Sequence, residues 1–497
     1  MSNLAKRLVK GAGIVFIMTM LNTFFGFMVR IVLARNLTLE DFGFFYAVIA
    51  FLGLVGLLKN LGVNQAIIKF IPDFLVQKDF GKVKTSILFS LGFSITTSAV
   101  VVSALYYFSN EIATGYFKDP NVETVFRIFL VFFVVQLLVS SISSIFNAFQ
   151  RPILLSYSGV FINLFFFIPI YFSDKLDISR VAWYYNGVHM VVLVTNIVLL
   201  LNVFNIFRYQ SSGFIPVVKK LIPFGAATTA STIVSHTTMR VDTIFLTYFQ
   251  DLKTVGIYSV LTPFRTIFKV AGSSISKIFF PMTSELYGQG KTKELINTLK
   301  MIQKYIILLM MPFTVVFFAY TEFIIEALYG VKFVEGVFAA RLIVLASIIQ
   351  PIYIVNVGTI NGLGKPMKNT QIITITGIIN FLLNMILIPI WSYNGAAIAV
   401  LLNKIIVFAV TNIVIYRLIG FRFDFYLILK VLLAGAAMYI FLVFAKTCFY
   451  DTILWLAIVQ YIAASILGLV VYLALCFPLK AATIDEVVKM SKLVFKR

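Results

Sequence analysis

Residues 240–264 read RVDTIFLTYFQDLKTVGIYSVLTPF. Apolar residues dominate from about residue 222 onward, so Arg240 and Asp242 fall inside a stretch long enough to cross a bilayer. A charged side chain at the bilayer centre costs about 2.5 kcal/mol or more, which marks such residues for function or for a specific partner. The same stretch has an earlier counterpart. At a constant offset of 213 residues, Lys6, Arg7 and Leu8 match Lys219, Lys220 and Leu221. Ile31, Leu33, Leu39 and Gly43 match Ile244, Leu246, Leu252 and Gly256 at the same offset.

Two further patterns recur in the same order. P-x8-G-K-x-K occurs at Pro72, Gly81, Lys82 and Lys84, and again at Pro281, Gly290, Lys291 and Lys293. N-x3-[RK]-P occurs at Asn147, Arg151 and Pro152, and again at Asn361, Lys365 and Pro366. Their shared order and spacing define an internal repeat of about 210 residues. Each copy holds six apolar helices. An even number gives both copies one orientation in the membrane, an arrangement of transporters whose site lies between the lobes.

Composition agrees with a membrane protein. Of 497 residues, 60% are hydrophobic and only 12% charged, about half the charged share of a soluble domain. The apolar runs are continuous, which argues against the alternating pattern of a β-barrel. We place about fourteen transmembrane helices, among them 222–249, 254–284, 369–391 and 393–416. The expected fold is all-α: an N-lobe at 1–210, a C-lobe at 211–420, and two further helices with a basic tail at 421–497. The N-terminal apolar run is long and has no small-x-small cleavage site, so it reads as a retained first helix. Cys448 and Cys476 lie in apolar runs without metal-ligand spacing and read as small hydrophobes.

The net charge of +21 is unevenly spread. Roughly 25 Lys/Arg fall on one side of the expected membrane and about 8 on the other, so the positive-inside rule puts both termini in the cytoplasm. The excess charge is therefore an orientation signal and a surface for anionic lipid, and points away from nucleic acid. The expected location is the cell membrane.

Inside the spans the polar residues form stripes. Helix 7 carries Thr229, Thr232, His236, Arg240, Thr243 and Thr247 on one face, and Thr228, Ser231, Ser235, Thr238 and Asp242 on another. Arg240 and Asp242 are two residues apart and cannot pair on one regular helix. Helix 8 carries Thr262, Arg265, Lys269, Gly272 and Ser276, whose small residues leave room beside the cations. Helix 1 carries Asn22, Gly26 and Arg30, with Arg30 close enough to the outer end to snorkel. Lys404 adds a cation in helix 12. A single deep acid, Asp242, cannot neutralise Arg240, Arg265, Lys269 and Lys404 together. Such cations imply a hydrated cavity and an anionic ligand. His189, beside Tyr184, Tyr185 and Asn186, reads as structural.

Three places carry a family resemblance. The stretch at 240–264, an Asp followed by V-G-x-Y-S, resembles the start of the second lobe in the polysaccharide flippases. INFLLNMILIPIWSYNGAAIAV at 379–400 resembles that family's N-x3-N-x-x-L-I-P…G-A-A pattern through Asn380, Asn384, Pro389, Gly395, Ala396 and Ala397. Glu40, Asp41, Phe42 and Gly43 resemble its first-lobe E-x-F-G. The family is the lipid-linked oligosaccharide and polysaccharide flippase branch of the multidrug/oligosaccharidyl-lipid/polysaccharide exporter superfamily.

The resemblance implies a transporter rather than an enzyme, moving a glycan on an undecaprenyl or dolichyl (pyro)phosphate to the outer leaflet by alternating access. By position, it implies Arg30, Arg240, Arg265 and Lys269 as substrate-binding residues, and His236, on the Arg240 stripe, is a further candidate for the same cavity. Asp242 would serve either coupling, through a proton or Na⁺, or locking of the second lobe. No metal or cofactor is expected, and the partners are membrane lipids and polysaccharide assembly proteins. Two alternatives stand beside this reading: a cation-coupled multidrug antiporter of the same superfamily, and a membrane glycan polymerase or ligase.

Overall fold

The computed structural model describes residues 3–59, 61–449 and 454–481, with side chains outside 3–12, 16, 58–59, 155 and 230–239. Among these residues the regular structure is helical. In chain order the helices are α1 (Asn3–Asn36), α2 (Leu39–Lys59), α3 (Val63–Val76), α4 (Phe80–Tyr107), the short α5 (Ser109–Glu111), α6 (Glu123–Ala148), α7 (Pro152–Tyr171), α8 (Ile178–Val203), α9 (Phe214–Phe249) and α10 (Leu252–Ser259). Then follow α11 (Thr262–Gly288), α12 (Thr292–Ala319), α13 (Thr321–Tyr329), α14 (Val337–Ser347), α15 (Ile349–Gly362), α16 (Pro366–Ile419), α17 (Phe425–Thr447) and α18 (Leu454–Cys476).

Contacts part the chain into two compact units, Met1–Ser259 and Val260–Arg497. The first holds α1–α10 and the second α11–α18. This boundary is one of packing, whereas the sequence repeat changes copy near residue 210. The helix that opens the second copy, α9, packs on α2 and α3 of the first.

Among the described residues, eleven helical stretches are long and apolar enough to cross a membrane. That is fewer than the fourteen expected. The 54-residue α16 enters once, although Trp391 and Ser392 leave helical geometry in its middle. The cation-bearing α9 and α11 are not in the eleven. Ser392 has φ 52°, and a Cβ on Gly395 would stand 2.0 Å from the Leu387 carbonyl oxygen. The chain therefore doubles back on itself in a tight hairpin. This is why N-x3-N…G-A-A is written there: Asn384 donates to the Asn380 carbonyl at 2.7 Å, and Gly395, Ala396 and Ala397 are small enough to be buried at the turn.

The repeated motifs fold alike. Gln150 (φ 54°) and Gly364 (φ 72°) end α6 and α15 in left-handed turns, and Arg151 and Lys365 donate back to the carbonyls of Phe146 and Ile360. Pro152 and Pro366 then open the next helices at positions where a missing N–H is harmless. Lys78 and Gly290, also left-handed, end α3 and α11 in the same way.

In the first unit, α3, α4, α6, α8 and the start of α9 bury a cluster around Ile67, Ile71, Ile142, Phe146, Leu200 and Leu221. In the second, α11, α12, α15, α16, α17 and α18 bury another around Leu295, Ile306, Val355, Ile415, Val431 and Met438. There α11 and α15 lie very close: a Cβ on Gly272 would meet the Pro351 Cα at 2.5 Å, and Ser276 donates to the Ile354 carbonyl at 3.2 Å. The room expected beside the cations at Gly272 and Ser276 is thus filled by α15. A polar ladder ties the same unit together, with Gln303 donating to Asn356 at 2.7 Å and Asn356 to Thr411 at 3.2 Å.

Candidate functional site

The first unit gathers two arginines on one face of α2. Tyr46, Ile49 and Gly53 follow at spacings of three and four, so they share that face. Arg30 of α1 stacks over the Tyr46 ring, 4.5 Å from its centroid. Arg240 of α9 donates to the Ile49 carbonyl at 3.1 Å. Gly53 makes room for it: a Cβ there would lie 3.5 Å from the Arg240 Nη1. Seven residues of helical rise separate Tyr46 from Gly53, about 10 Å along the axis. Tyr185 of α8 sits within electrostatic range of Arg240 and of Tyr46. Its ring packs on Phe45, Phe132 and Phe166. Tyr46 and Tyr185 carried no signal in sequence beyond their position on a helix face.

The helix 1 stripe serves two different contacts. Asn22 accepts from Asn163 of α7 at 2.8 Å, and Gly26 abuts the same side chain. Those two residues are an α1–α7 packing seam. Arg30 is half-buried and, instead of snorkelling outward, donates to the main-chain carbonyl of Ser259 at the end of α10.

Helix 8, expected as one span over 254–284, is broken at Val260–Leu261 into α10 and α11. Pro263 stands in the first turn of α11 and has no N–H to return to the Ser259 carbonyl four residues back.

Asp242 faces away from Arg240, as the two stripes require. It is buried and accepts a hydrogen bond from the Tyr258 hydroxyl at 2.7 Å, with Thr243 N–H donating to its other oxygen at 2.9 Å. The side chain of His236 lies outside the described residues. His189 is buried, with Nδ1 at 2.7 Å from the Tyr185 carbonyl and its ring against Phe132. That is a packed, hydrogen-bonded histidine.

The second unit has its own cations. Arg265 and Lys269 stand one turn apart on α11, and both act electrostatically on Lys404 of α16. The Lys404 ammonium lies 5.5 Å from the Tyr353 ring centroid of α15. Among the described residues, neither Lys269 nor Lys404 forms an ion pair. Like charges held together in an apolar setting repel and lose hydration unless an anion or water joins them. Arg341 of α14, over the Phe318 ring at 5.6 Å, is a further cation that sequence reading passed over. Arg240 therefore belongs with Arg30 in one unit, and Arg265 and Lys269 with Lys404 in the other.

Residues 8–287 match the sequence profile of the polysaccharide biosynthesis protein family. An uncharacterized membrane protein of Methanocaldococcus jannaschii is 25% identical over 491 residues, covering 95% of both chains. Among solved structures, the lipid II flippase MurJ in an inward closed conformation superposes with a TM-score of 0.69 at 15% identity, over 93% of this chain and 97% of that one. An inward-facing multidrug resistance MATE family transporter of the MOP superfamily superposes at 0.60 with 12% identity, over 80% and 95%. The chain thus belongs to the polysaccharide biosynthesis protein family and carries the fold of the multidrug/oligosaccharidyl-lipid/polysaccharide exporter superfamily.

Proposed function

We propose that the protein flips a lipid-linked oligosaccharide, held through its phosphate or diphosphate, from the cytoplasmic to the outer leaflet by alternating access. The observation that carries this reading is the cation group Arg265, Lys269 and Lys404 beside Tyr353, in which Lys269 and Lys404 have no carboxylate partner among the described residues. A phosphate supplies the missing negative charge. Arg matches its oxygens bidentately and Lys adds point charge. Arg30 and Arg240, framed by Tyr46 and Tyr185, offer a second pair of guanidinium groups to the same chemistry. The family and the fold of the lipid II flippase support the choice of a lipid-linked substrate.

In this reading the repeat-defined lobes, 1–210 and 211–420, work as the alternating parts. The helices at 421–497 are an appendage, both termini lie in the cytoplasm, and polysaccharide assembly proteins act beside it. Of the two roles open to Asp242, its bond to Tyr258 favours the structural one over coupling to a proton or Na⁺.

The test is translocation of a fluorescent lipid-diphosphate glycan in reconstituted vesicles. Arg265→Gln with Lys269→Gln lowers the rate at least about tenfold, the scale of losing charge-assisted hydrogen bonds, while membrane insertion is unchanged. Wild-type rates in that variant would sink the reading. Transport of an organic cation such as ethidium, without transport of the glycan lipid, would favour the antiporter instead.

A further inference from the structure

We propose that the groove between α4 and the start of α9 binds one anionic phospholipid of the membrane, with a hydrocarbon chain inside and the phosphate at a basic mouth. The ligand is a lipid of the surrounding bilayer, so the site stands whether or not the protein is a flippase.

The chain makes this groove by fastening one end and leaving the other open. The loop before α9 crosses α4 at Gly81, where a Cβ would stand 2.3 Å from the Ser212 Oγ. One turn on, the Thr85 hydroxyl donates to the Ser212 carbonyl at 2.8 Å and accepts from the Ser212 N–H at 3.1 Å. Lys84 holds the same loop by donating to the Tyr209 carbonyl at 2.8 Å. Gly213, with φ 61°, then turns the chain into α9. Farther along, α4 is uncovered: a Cβ on Gly92 would meet no atom within 4 Å.

The space left has a volume of about 580 Å³, in the range of small-molecule sites. Thr85 and Ser212 stand at its mouth, and Leu88, Phe89, Phe93 and Phe214 form its walls. The Phe89 ring lies 5.7 Å from that of Phe93 and 6.2 Å from that of Phe214, so the walls brace one another. Leu88 and Phe214 are exposed. An open apolar patch with a polar rim marks a ligand or membrane site. Thr85 to Phe93 cover about 8 to 20 Å from the start of α4, a helix long and apolar enough to span the membrane. The walls therefore lie at the depth of the hydrocarbon chains and the mouth near the headgroups.

Charge selects among lipids. Lys82 lays its stem along Gly213, where a Cβ would be 3.2 Å from the Lys82 Cε, and Asp79 neutralises its ammonium at 2.6 Å. Lys84, Arg208, Lys219 and Lys220 belong to the same two segments, and among the described residues none of them forms an ion pair. Basic residues at a span end attract anionic lipid. A zwitterionic lipid gains the chain contacts without that attraction. The groove also joins the two sequence copies, since α4 belongs to the first and Phe214 to the second. One lipid thus ties the opening of α9 to α4.

The test uses the full chain in phosphatidylcholine vesicles and reads tryptophan quenching by lipids with brominated chains. Trp183→Phe, Trp391→Phe and Trp455→Phe clear the background, and Phe89→Trp places the reporter in the groove. Phe161→Trp is the comparator: it is exposed and stands as far along α7 as Phe89 along α4. A minor share of brominated phosphatidylglycerol is expected to quench Phe89→Trp about fivefold more than the same share of brominated phosphatidylcholine, the scale of one basic residue. Phe161→Trp should show no such preference, and high salt should shrink the preference at Phe89→Trp. Equal preference at both positions overturns the site. Equal quenching of Phe89→Trp by the two lipids overturns the choice of an anionic headgroup.

Gly92→Leu fills the groove without a clash at its Cβ and is expected to abolish the preference. A preference that survives Gly92→Leu overturns the groove as its source. Native mass spectrometry needs no reporter. From micelles containing phosphatidylglycerol, the wild-type protein should retain one more molecule of it than Gly92→Leu. The same number on both overturns the proposal, even if the tryptophan-free protein fails to fold.

Discussion

At the scale of single residues, the deep acid has the clearest assignment. Asp242 and Tyr258 are both buried and joined by a hydrogen bond to a carboxylate, an interaction worth about 1.5–3 kcal/mol. Asp242→Asn and Tyr258→Phe should each lower the thermal midpoint, and the double variant should cost less than the sum of the two. Full additivity, or loss of transport in Asp242→Asn with unchanged stability, would return Asp242 to a coupling role. A second acid lies outside the spans. Asp79 caps α4 by accepting from the Lys82 N–H at 3.0 Å, pairs with the Lys82 ammonium at 2.6 Å and takes the Ser212 hydroxyl at 3.4 Å. The Lys82 hydrogen bonds hold its carboxyl below the usual value of 3.8. A depressed folded-state value stabilises the fold fully above the unfolded value, and the contribution is lost as pH falls through the folded one. Amide exchange at the start of α4, corrected for intrinsic rates, should therefore rise below about pH 4, with Asp79→Asn showing no such step. A flat wild-type profile would mean the cap contributes nothing.

Elements show where sequence reading reached and where it stopped. The repeat was legible because left-handed turns and proline starts leave fixed residue types, as at Arg151–Pro152 and Lys365–Pro366. The break at Trp391–Ser392 fell between two expected helices because the turn needs Gly395 and its alanines. The break at Val260–Leu261 was missed because Pro263 looks harmless one turn into a helix; its consequence is felt four residues earlier, at Ser259. The matched glycines Gly43 and Gly256 gave the repeat but not the contact, since pairing across 213 residues is a tertiary fact: a Cβ on Gly43 would stand 1.8 Å from the Leu252 carbonyl oxygen, and one on Gly256 would stand 2.4 Å from the Leu39 carbonyl oxygen. That contact makes a strong prediction. Gly43→Ala and Gly256→Ala should each force α2 and α10 apart, costing about 1–3 kcal/mol or more. Gly92→Ala on α4, where a Cβ meets nothing within 4 Å, should be neutral or gain up to about 1 kcal/mol from helix propensity. Similar thermal midpoints for all three would refute the close crossing.

Over the whole molecule, the candidate site was legible as chemistry and not as geometry. Helical spacing found Arg30, Arg240, Arg265 and Lys269 because a charge in an apolar run stands out. It could not assign them to units, since that depends on which helices pack, and it could not see that Ile49 and Ser259 offer main-chain carbonyls to two of the arginines. Orientation, by contrast, belongs to the sequence alone. Roughly 25 Lys/Arg on one expected side against about 8 on the other predict both termini in the cytoplasm, because basic residues near span ends resist translocation. The prediction is tested by single cysteines on a background with Cys448 and Cys476 replaced by Ala. Lys293→Cys, in the first turn of α12, should react with a membrane-impermeant maleimide only in inside-out vesicles. Lys175→Cys, between α7 and α8, should react only in right-side-out vesicles or whole cells. The reverse pattern would place the termini outside. Under the flippase reading, the cations would then have to take up their substrate from the opposite leaflet.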